Sequence, residues 1–442
     1  MKKKILTLSI AVILFSLRLA NAQNAYEMMV KGVKVIVQPS GNDIVEVQTI
    51  INGGIQNYPA DKCGIESLAM TALSECGTLN HDKNSFKNQL DKVSAALYGF
   101  SGKDYSVVKM NCIKGDFETV WPLYTEALTI PSFDAKEFAR IKQDAINGLK
   151  EADSQPDAAI DKYAVKVAFA GLEYAKDPDG TTDIIEKLTP EETKAYYLSI
   201  LTRSRMLIVV VANLDKGVIE EKVNQLLSNI KPGKPYVLKK AIYSVPKNIF
   251  SAEQRDLATN YVEGITSAPE PGAPDFTAFN VAMHIFSDRQ YLDVRTKNGL
   301  SYAPQAWFDN GAMAVAKFSV STTQPDKYIE VFYKLVNKVK TGGFKADEVA
   351  NMKTSYLTSF YYRQETNSAQ AASLAQSEVL FNNWHRSLTL ANDVKKLTVD
   401  DVNNAFRKYI GNIVWVYQGD PKKVNPLNYT NGLNRNNGVV SQ

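Results

Sequence analysis

The chain has 442 residues, of which 45% are hydrophobic and 22% charged, with 24 glycines, 17 prolines and three cysteines. This composition supplies sizeable cores for two or three domains and excludes a disordered, collagen-like or disulfide-framed chain. The formal charge of +4 comes from Lys2, Lys3, Lys4 and Arg18; the rest of the chain is neutral and lacks the clustered basic excess of a nucleic-acid footprint.

Residues 1–22 read as a secretory signal peptide. They combine the basic Lys2–Lys4 start, the apolar run Ile5–Leu17 and an A-x-A cleavage site at Ala20-Asn21-Ala22. The run has 13 residues, whereas spanning a bilayer takes about 20. Export with cleavage after Ala22 is predicted, with no membrane span in the mature chain. The expected location is the periplasm of a Gram-negative host, or secretion beyond the cell. Export permits disulfides, but Cys63 and Cys76 bracket a helical segment. Its length of about 20 Å exceeds the roughly 7 Å Cα separation a disulfide tolerates, so no bridge is expected there. Cys112, in VVKMNCI, reads as a buried apolar thiol.

In chain order, Val33, Val35 and Val37 alternate as a strand ending at Pro39, and Ile51-Asn-Gly-Gly54 closes another. Residues 64–78, GIESLAMTALSECGT, read as helix. Helical spacing recurs through Phe117, Val120, Trp121, Tyr124 and Leu128, and again from Phe133-Asp-Ala-Lys-Glu137 through Ile141 and Ile146. Lys187-Leu-Thr-Pro-Glu-Glu192 starts a helix, with Thr189 as cap and acids in the first turn. An apolar strand, Met206–Val211, follows it. Ile219, Val223, Leu226, Leu227 and Ile230 form one more helical stripe. Residues 231–247 hold three prolines and five lysines, the mark of an exposed linker.

A second series then begins. Ala314, Ala316, Phe318 and Val320 alternate as a strand. Phe344-Lys-Ala-Asp-Glu348 repeats the Phe133 segment at an offset of 211, and Lys396-Leu-Thr-Val-Asp-Asp401 repeats the Lys187 segment at 209. Thr398 is the second cap, and Ile413–Tyr417 the matching strand. Both offsets are half of the chain beyond Ala22, which predicts an internal duplication. The domains are read as 23–230 and 250–424, joined by a linker over 231–249 and followed by a loose Asn- and Gly-rich tail over 425–442. Each half is of α+β class.

The strand, glycine turn and helix over 51–78 resemble the insulinase/pitrilysin metallopeptidase family, in the branch that contains mitochondrial processing peptidase. Active members carry H-x-x-E-H on this helix. Two His one turn apart hold zinc, and the Glu activates its water. Alignment on Gly64-Ile65 places Ser67, Met70 and Thr71 at those positions; alignment on Gly77-Thr78 places Leu68, Thr71 and Ala72 there. Neither set supplies a ligand or a base. The family's third ligand is a Glu on a later helix. The matching segment here, Arg140–Lys150 ahead of Asp153-Ser-Gln-Pro156, offers only Asp144; Glu137 and Glu151 flank it without fitting. His81, His284 and His385 are scattered, the first and last read as solvated and His284 as a core residue. No metal or other cofactor is expected in this chain. G-x-S-x-G, P-loop and G-x-G-x-x-G motifs are absent from the sequence.

The segment Ser287–Tyr302 resembles the family's other signature, a Leu followed by R-x-x-x-G-L-x-Y, through Leu292, Arg295, Gly299, Leu300 and Tyr302. Gly299 suits a helix C-terminal cap with positive φ. The resemblance implies that Arg295 and Tyr302 bind substrate across a closed chamber and stabilise the oxyanion at the scissile carbonyl. A permanent multi-donor cation and an aimed phenol suit that task. The plain alternatives are a solvated helix-end Arg and an ordinary strand aromatic. The likeness runs from about Tyr26 to Lys423 and implies two homologous α/β sandwich domains, each a mainly antiparallel sheet with helices packed on it. It further implies a non-catalytic subunit of a periplasmic, heterodimeric zinc peptidase. The zinc is expected in a sister subunit bearing H-x-x-E-H, and the substrate is an unfolded peptide. The alternative is a non-enzymatic peptide-binding or scaffold protein.

Overall fold

The computed structural model describes residues 24–432; the signal peptide read over 1–22 and residues 433–442 of the tail lie outside the described residues. Strand β1 (Tyr26–Val30) forms a hairpin with β2 (Val33–Pro39), where the three valines alternate as expected. They join β3 (Ile44–Asn52), β4 (Ala96–Ser101), β5 (Tyr105–Ile113) and β6 (Met206–Ala212) in the order β1-β2-β6-β3-β5-β4. The second half contributes β7 (Ile249–Gln254), β8 (Asn260–Ser267), β9 (Gln305–Asp309), β10 (Val315–Thr322) and β11 (Ile413–Gly419), in the order β7-β11-β8-β10-β9. Setting β1 aside, the two orders are the same. In each sheet one pairing is parallel, β2 with β6 and β7 with β11, and the rest are antiparallel. The duplicated, mainly antiparallel α/β architecture expected from the sequence is the one observed.

Three pairs of helices carry the repeat. Helices α1 (Ile65–Glu75), α2 (Ala135–Ser154) and α3 (Pro156–Ala168) have counterparts in α4 (Phe276–Gln290), α5 (Ala346–Arg363) and α6 (Asn367–Phe381). Each counterpart opens 211 residues after its partner. The two L-T-x-acid-acid segments cap as read: the Thr189 hydroxyl accepts from the Glu192 N–H at 3.1 Å, and the Thr398 hydroxyl from the Asp401 N–H at 3.1 Å.

Each half lends a helix to the other. Ile208 and Val210 of β6 face the core of the first half, while Leu207, Val209 and Val211 pack on Ala371, Leu374 and Ala375 of α6 and on Trp384. Reciprocally, Ile160 and Ala164 of α3 share a core with Ile265, Val414 and Val416 of the second sheet, whose Ile413, Trp415 and Tyr417 face the other way. A strand covered on both faces carries apolar side chains at every position, which accounts for the unbroken MLIVVVA of β6. Polar bonds pin the exchange. Asn367 at the start of α6 donates to the Ile44 and Val211 carbonyls at 2.7 and 3.3 Å. Lys34 bonds Glu378 at 2.6 Å, and the buried Lys317 bonds Asp161 of α3. The buried Asp104 carboxylate accepts from the Ala312 N–H at 2.9 Å and from the Tyr174 hydroxyl.

Two sequence readings need correction. Residues 231–249 are more than an exposed linker. Tyr243 and Val245 are buried, the Tyr243 ring meets Phe169 edge-on at 5.0 Å, and its hydroxyl donates to the Ala168 carbonyl at 3.0 Å. The last of these residues, Ile249, already opens β7. The Lys and Pro content masked two apolar anchors that seat the strap on the first half. Nor is the tail loose as far as it is described. Pro426–Thr430 is helical, and Tyr429 is fully buried against Phe250 at 4.8 Å, with its hydroxyl donating to the Pro325 carbonyl at 2.9 Å. One aromatic anchor outweighs the surrounding Asn-rich composition.

All three cysteines are free and buried. Burial pushes the Cys76 and Cys112 thiols up to about 12, leaving almost no reactive thiolate near neutrality. In a thiol-reagent titration at pH 8, the native protein is expected to react far more slowly than the denatured chain, which releases all three equivalents. Prompt reaction of all three in the native state would contradict this packing.

Candidate functional site

The turn before α1 needs its glycines. Gly53 and Gly54 hold φ of 124° and 48°, and a Cβ on Gly54 would run into the Gly102 and Lys103 carbonyls. The chain then enters α1, whose Ser67 and Thr71 lie one turn apart and face a cleft of about 620 Å³. Its other walls are α2, through Arg140, Ile141, Asp144 and Gly148, and the loop holding Asp177 and Asp179. Met70 and Ala72 are fully buried instead. The alignment on Gly64-Ile65 therefore puts both of its histidine positions on the cleft; the alternative would put one of them, Ala72, in the core. Strand β4 packs so closely behind α1 that a Cβ on Gly99 would strike the Met70 carbonyl.

The donors in this cleft are occupied. Ser67 Oγ donates to Asp179 at 3.0 Å, and Thr71 Oγ1 to the Ser67 carbonyl at 3.0 Å. Arg140 binds Asp144 at 2.9 Å, Glu75 at 3.0 Å and Glu137 at 2.9 Å. Hydrogen bonds from Lys83 and Arg140 hold the Glu137 carboxyl down at about 2. Zinc binds imidazole nitrogen, thiolate and free carboxylate. This cleft offers two hydroxyls, the Glu75 and Asp144 carboxylates already claimed by Arg140, and Asp177 and Asp179, which accept from the Asp179 N–H and the Ser67 hydroxyl. Among the described residues, no group of three His, Cys, Asp or Glu is placed to hold a metal ion. The residues present do not fit zinc.

Glu66, beside Ser67, was not singled out by the sequence. It is fully buried, accepts from Asn57 at 3.1 Å and from the Ser106 and Tyr196 hydroxyls, and has its carboxyl raised by burial. It braces the start of α1 against the sheet. Its only signal was an acid in the first turn of a largely apolar helix. His284 also departs from expectation. Met283, Ile285 and Phe286 take the core, which turns His284 to the exposed side of α4 against Tyr356, with ring centroids 5.8 Å apart. His385 is exposed and stacks on Trp384 at 3.7 Å.

The second segment is differently built. Helix α4 runs on into a π-helical turn, Tyr291–Lys297, a local geometry often found at functional sites. Gly299 ends it with φ 61°, its N–H donating to the Arg295 carbonyl at 3.0 Å; the Leu300 N–H donates to Val294 at 2.9 Å. The Arg295 guanidinium lies over the Tyr302 ring at 4.0 Å and the Tyr291 ring at 4.9 Å. Tyr302 is 78% exposed and Leu292 49%. Asp293, the acid of the turn, holds Lys297 at 2.5 Å. The fold thus brings Arg295 and Tyr302 together and adds Tyr291, which sequence reasoning missed although it stands four residues before Arg295. Neither Arg295 nor Tyr302 lines the α1 cleft.

Residues 187–356 match the family model described as the peptidase M16 inactive domain. A related protein, the non-peptidase homolog YmxG of Helicobacter pylori, is 20% identical over 396 residues, covering 85% of this chain and 89% of its own. Over this stretch and in its overall fold the chain resembles insulinase-like, M16-type proteins. The family model and this relative are described as inactive and non-peptidase, and the present sequence has no H-x-x-E-H. Solved structures agree on the M16-type fold. The peptidase M16 inactive domain from Pseudomonas fluorescens superposes with a TM-score of 0.81 at 18% identity, covering 90% of this chain and 98% of that one. The periplasmic protease PqqL from Escherichia coli gives 0.78 at 15%, covering 90% of this chain but 45% of PqqL. The present chain thus spans about half of PqqL. Among its described residues, no helix is long and apolar enough to cross a membrane.

Proposed function

We propose that this chain is the non-catalytic, Arg/Tyr-bearing subunit of a heteromeric zinc peptidase that works in the periplasm. One observation carries the reading: the Arg295–Tyr302 stack is formed and exposed in a chain whose α1 cleft has no zinc donors. The match to half of PqqL supports a half-chamber that needs a second half. The description of PqqL as periplasmic supports the location. The sister subunit would bear H-x-x-E-H, whose two His would hold a zinc that, when bound, would supply Lewis-acid activation of water. Arg295 and Tyr302 bind the unfolded peptide from the opposite wall. Arg295 offers a fixed positive charge with several donors, and Tyr302 an aimed hydroxyl, where negative charge develops. Substrate binding by these two residues, and the absence of zinc from this chain, belong to the same proposal.

The test is a native pull-down of the tagged chain from its own host, cross-linked before lysis, with mass spectrometry and zinc analysis. A stoichiometric partner carrying H-x-x-E-H, together with zinc, is the expected result. A metal-free chain recovered alone would overturn it. That outcome would favour the second reading, a non-enzymatic peptide-binding or scaffold protein, which the description of YmxG as a non-peptidase homolog supports.

A further inference from the structure

We infer that the Tyr291–Arg295–Tyr302 turn is a carboxylate clamp, made for the C-terminal carboxylate of a peptide that ends in an apolar residue. The inference rests on the reading of this turn as a peptide-gripping surface and names the class of peptide gripped, the N-terminal product of cleavage, whose new carboxylate stands where the oxyanion developed. It starts from charge. The π-helical turn holds two cations and one acid, and the acid, Asp293, is engaged by Lys297 at 2.5 Å. Arg295 therefore has no counter-charge within its own turn. Two phenol rings, at 4.0 and 4.9 Å from its central carbon, stabilise the guanidinium through its flat surface. Stacking of this kind leaves the in-plane N–H donors free, and it removes much of the rotamer freedom that an isolated Arg would lose on binding.

The ligand best matched to such an edge is a carboxylate. Its two oxygens take two parallel N–H bonds, whereas an amide carbonyl takes one and brings no charge. The surroundings choose among carboxylates. Tyr302, stacked on the guanidinium, is 78% exposed, and Leu292, three residues before Arg295 in the same turn, is 49% exposed, apolar surface that suits an apolar partner. At a peptide C-terminus, the carboxylate and the last side chain branch from the same Cα, so both can be seated at once. An internal Glu carries its carboxylate on a flexible stem with no apolar group attached. Tyr291 is in this arrangement a positioning residue: it touches the guanidinium and holds its plane.

The test uses the purified full chain and short fluorescent peptides in three forms: ending in leucine as the free acid, the same peptide as its C-terminal amide, and an amidated peptide with an internal Glu. Anisotropy is expected to show the free acid bound about tenfold or more tightly than its amide, with the internal-Glu peptide behaving like the amide. Arg295→Lys keeps the charge but not the fork, and should erase most of the acid-to-amide ratio. Tyr291→Leu keeps apolar bulk and should reduce the ratio without changing thermal stability, a split that a merely structural residue would not give. Equal binding of acid and amide, or binding of neither, overturns the clamp. Equal binding of the free acid and the internal-Glu peptide overturns the C-terminal assignment. If the preference is absent but Arg295→Ala still abolishes turnover in the assembled peptidase, the gripping role stands and only the carboxylate assignment falls. If turnover is also intact, both fall.

Discussion

Arg295→Ala is expected to lower the turnover of the proposed two-subunit peptidase by about 10²–10³-fold, the usual loss when one preorganised donor to a developing oxyanion is removed. Assembly and melting temperature should not change, because Arg295 is partly exposed and its nearest partners are the exposed rings of Tyr291 and Tyr302. Substitutions at such positions usually stay within about 0.5 kcal/mol. Tyr302→Phe is the finer probe. It keeps the ring beneath the guanidinium and deletes one hydroxyl, so a smaller loss of about tenfold in kcat is expected. Steady-state kinetics of the reconstituted pair, with wild-type-like co-purification as the control, read both. Full activity in the two variants would remove the role assigned to this turn.

Leu374→Asp is expected to destabilise the whole molecule through the half to which Leu374 does not belong in sequence. Leu374 sits on α6, packed on Leu207, Val209 and Val211 of the first sheet. A carboxylate there loses the apolar burial and is stranded without a partner, at a cost of about 4 kcal/mol or more. A typical domain has only about 5–15 kcal/mol of stability in all. The reciprocal change, Ile160→Asp on α3, should damage the second sheet through Ile265, Val414 and Val416. Calorimetry of the wild type should give one cooperative transition, and either variant should shift all of it. Two resolved transitions, only one of which moves in Leu374→Asp, would mean that the halves are separate bodies and the exchange of helices is energetically minor.

The duplication was legible because its markers are local. A threonine cap followed by two acids, and an apolar strand after a helix, need no tertiary partner to be recognised. The exchange of α3 and α6 was not. Their sequences, PDAAIDKYAVKVA and NSAQAASLAQSEVLF, are rich in small residues and carry no strong apolar stripe, and nothing local says which sheet they cover. The hint lay in β6, where seven consecutive buried residues require cover on both faces. At the candidate site, residue type alone was enough to read the loss of zinc donors at Ser67, Met70 and Thr71. The stack of Arg295 on Tyr291 depended on a π-helical turn, which the ordinary helical spacing does not announce. Tyr243 and Tyr429 were hidden in the same way, as single anchors inside segments whose average composition reads as loop.

The exchanged helices also set an order on biosynthesis. The last strand of the first sheet ends at Ala212, yet the helix that covers its outer face begins at Asn367, 155 positions later. A chain emerging from its N-terminus can pair those six strands and still present Leu207, Val209 and Val211 as a bare apolar sheet face until most of the second half has been made. Such a face invites aggregation. The nascent protein therefore needs that face shielded, for instance by holding chaperones, until the second half has been made and both sheets can be completed together.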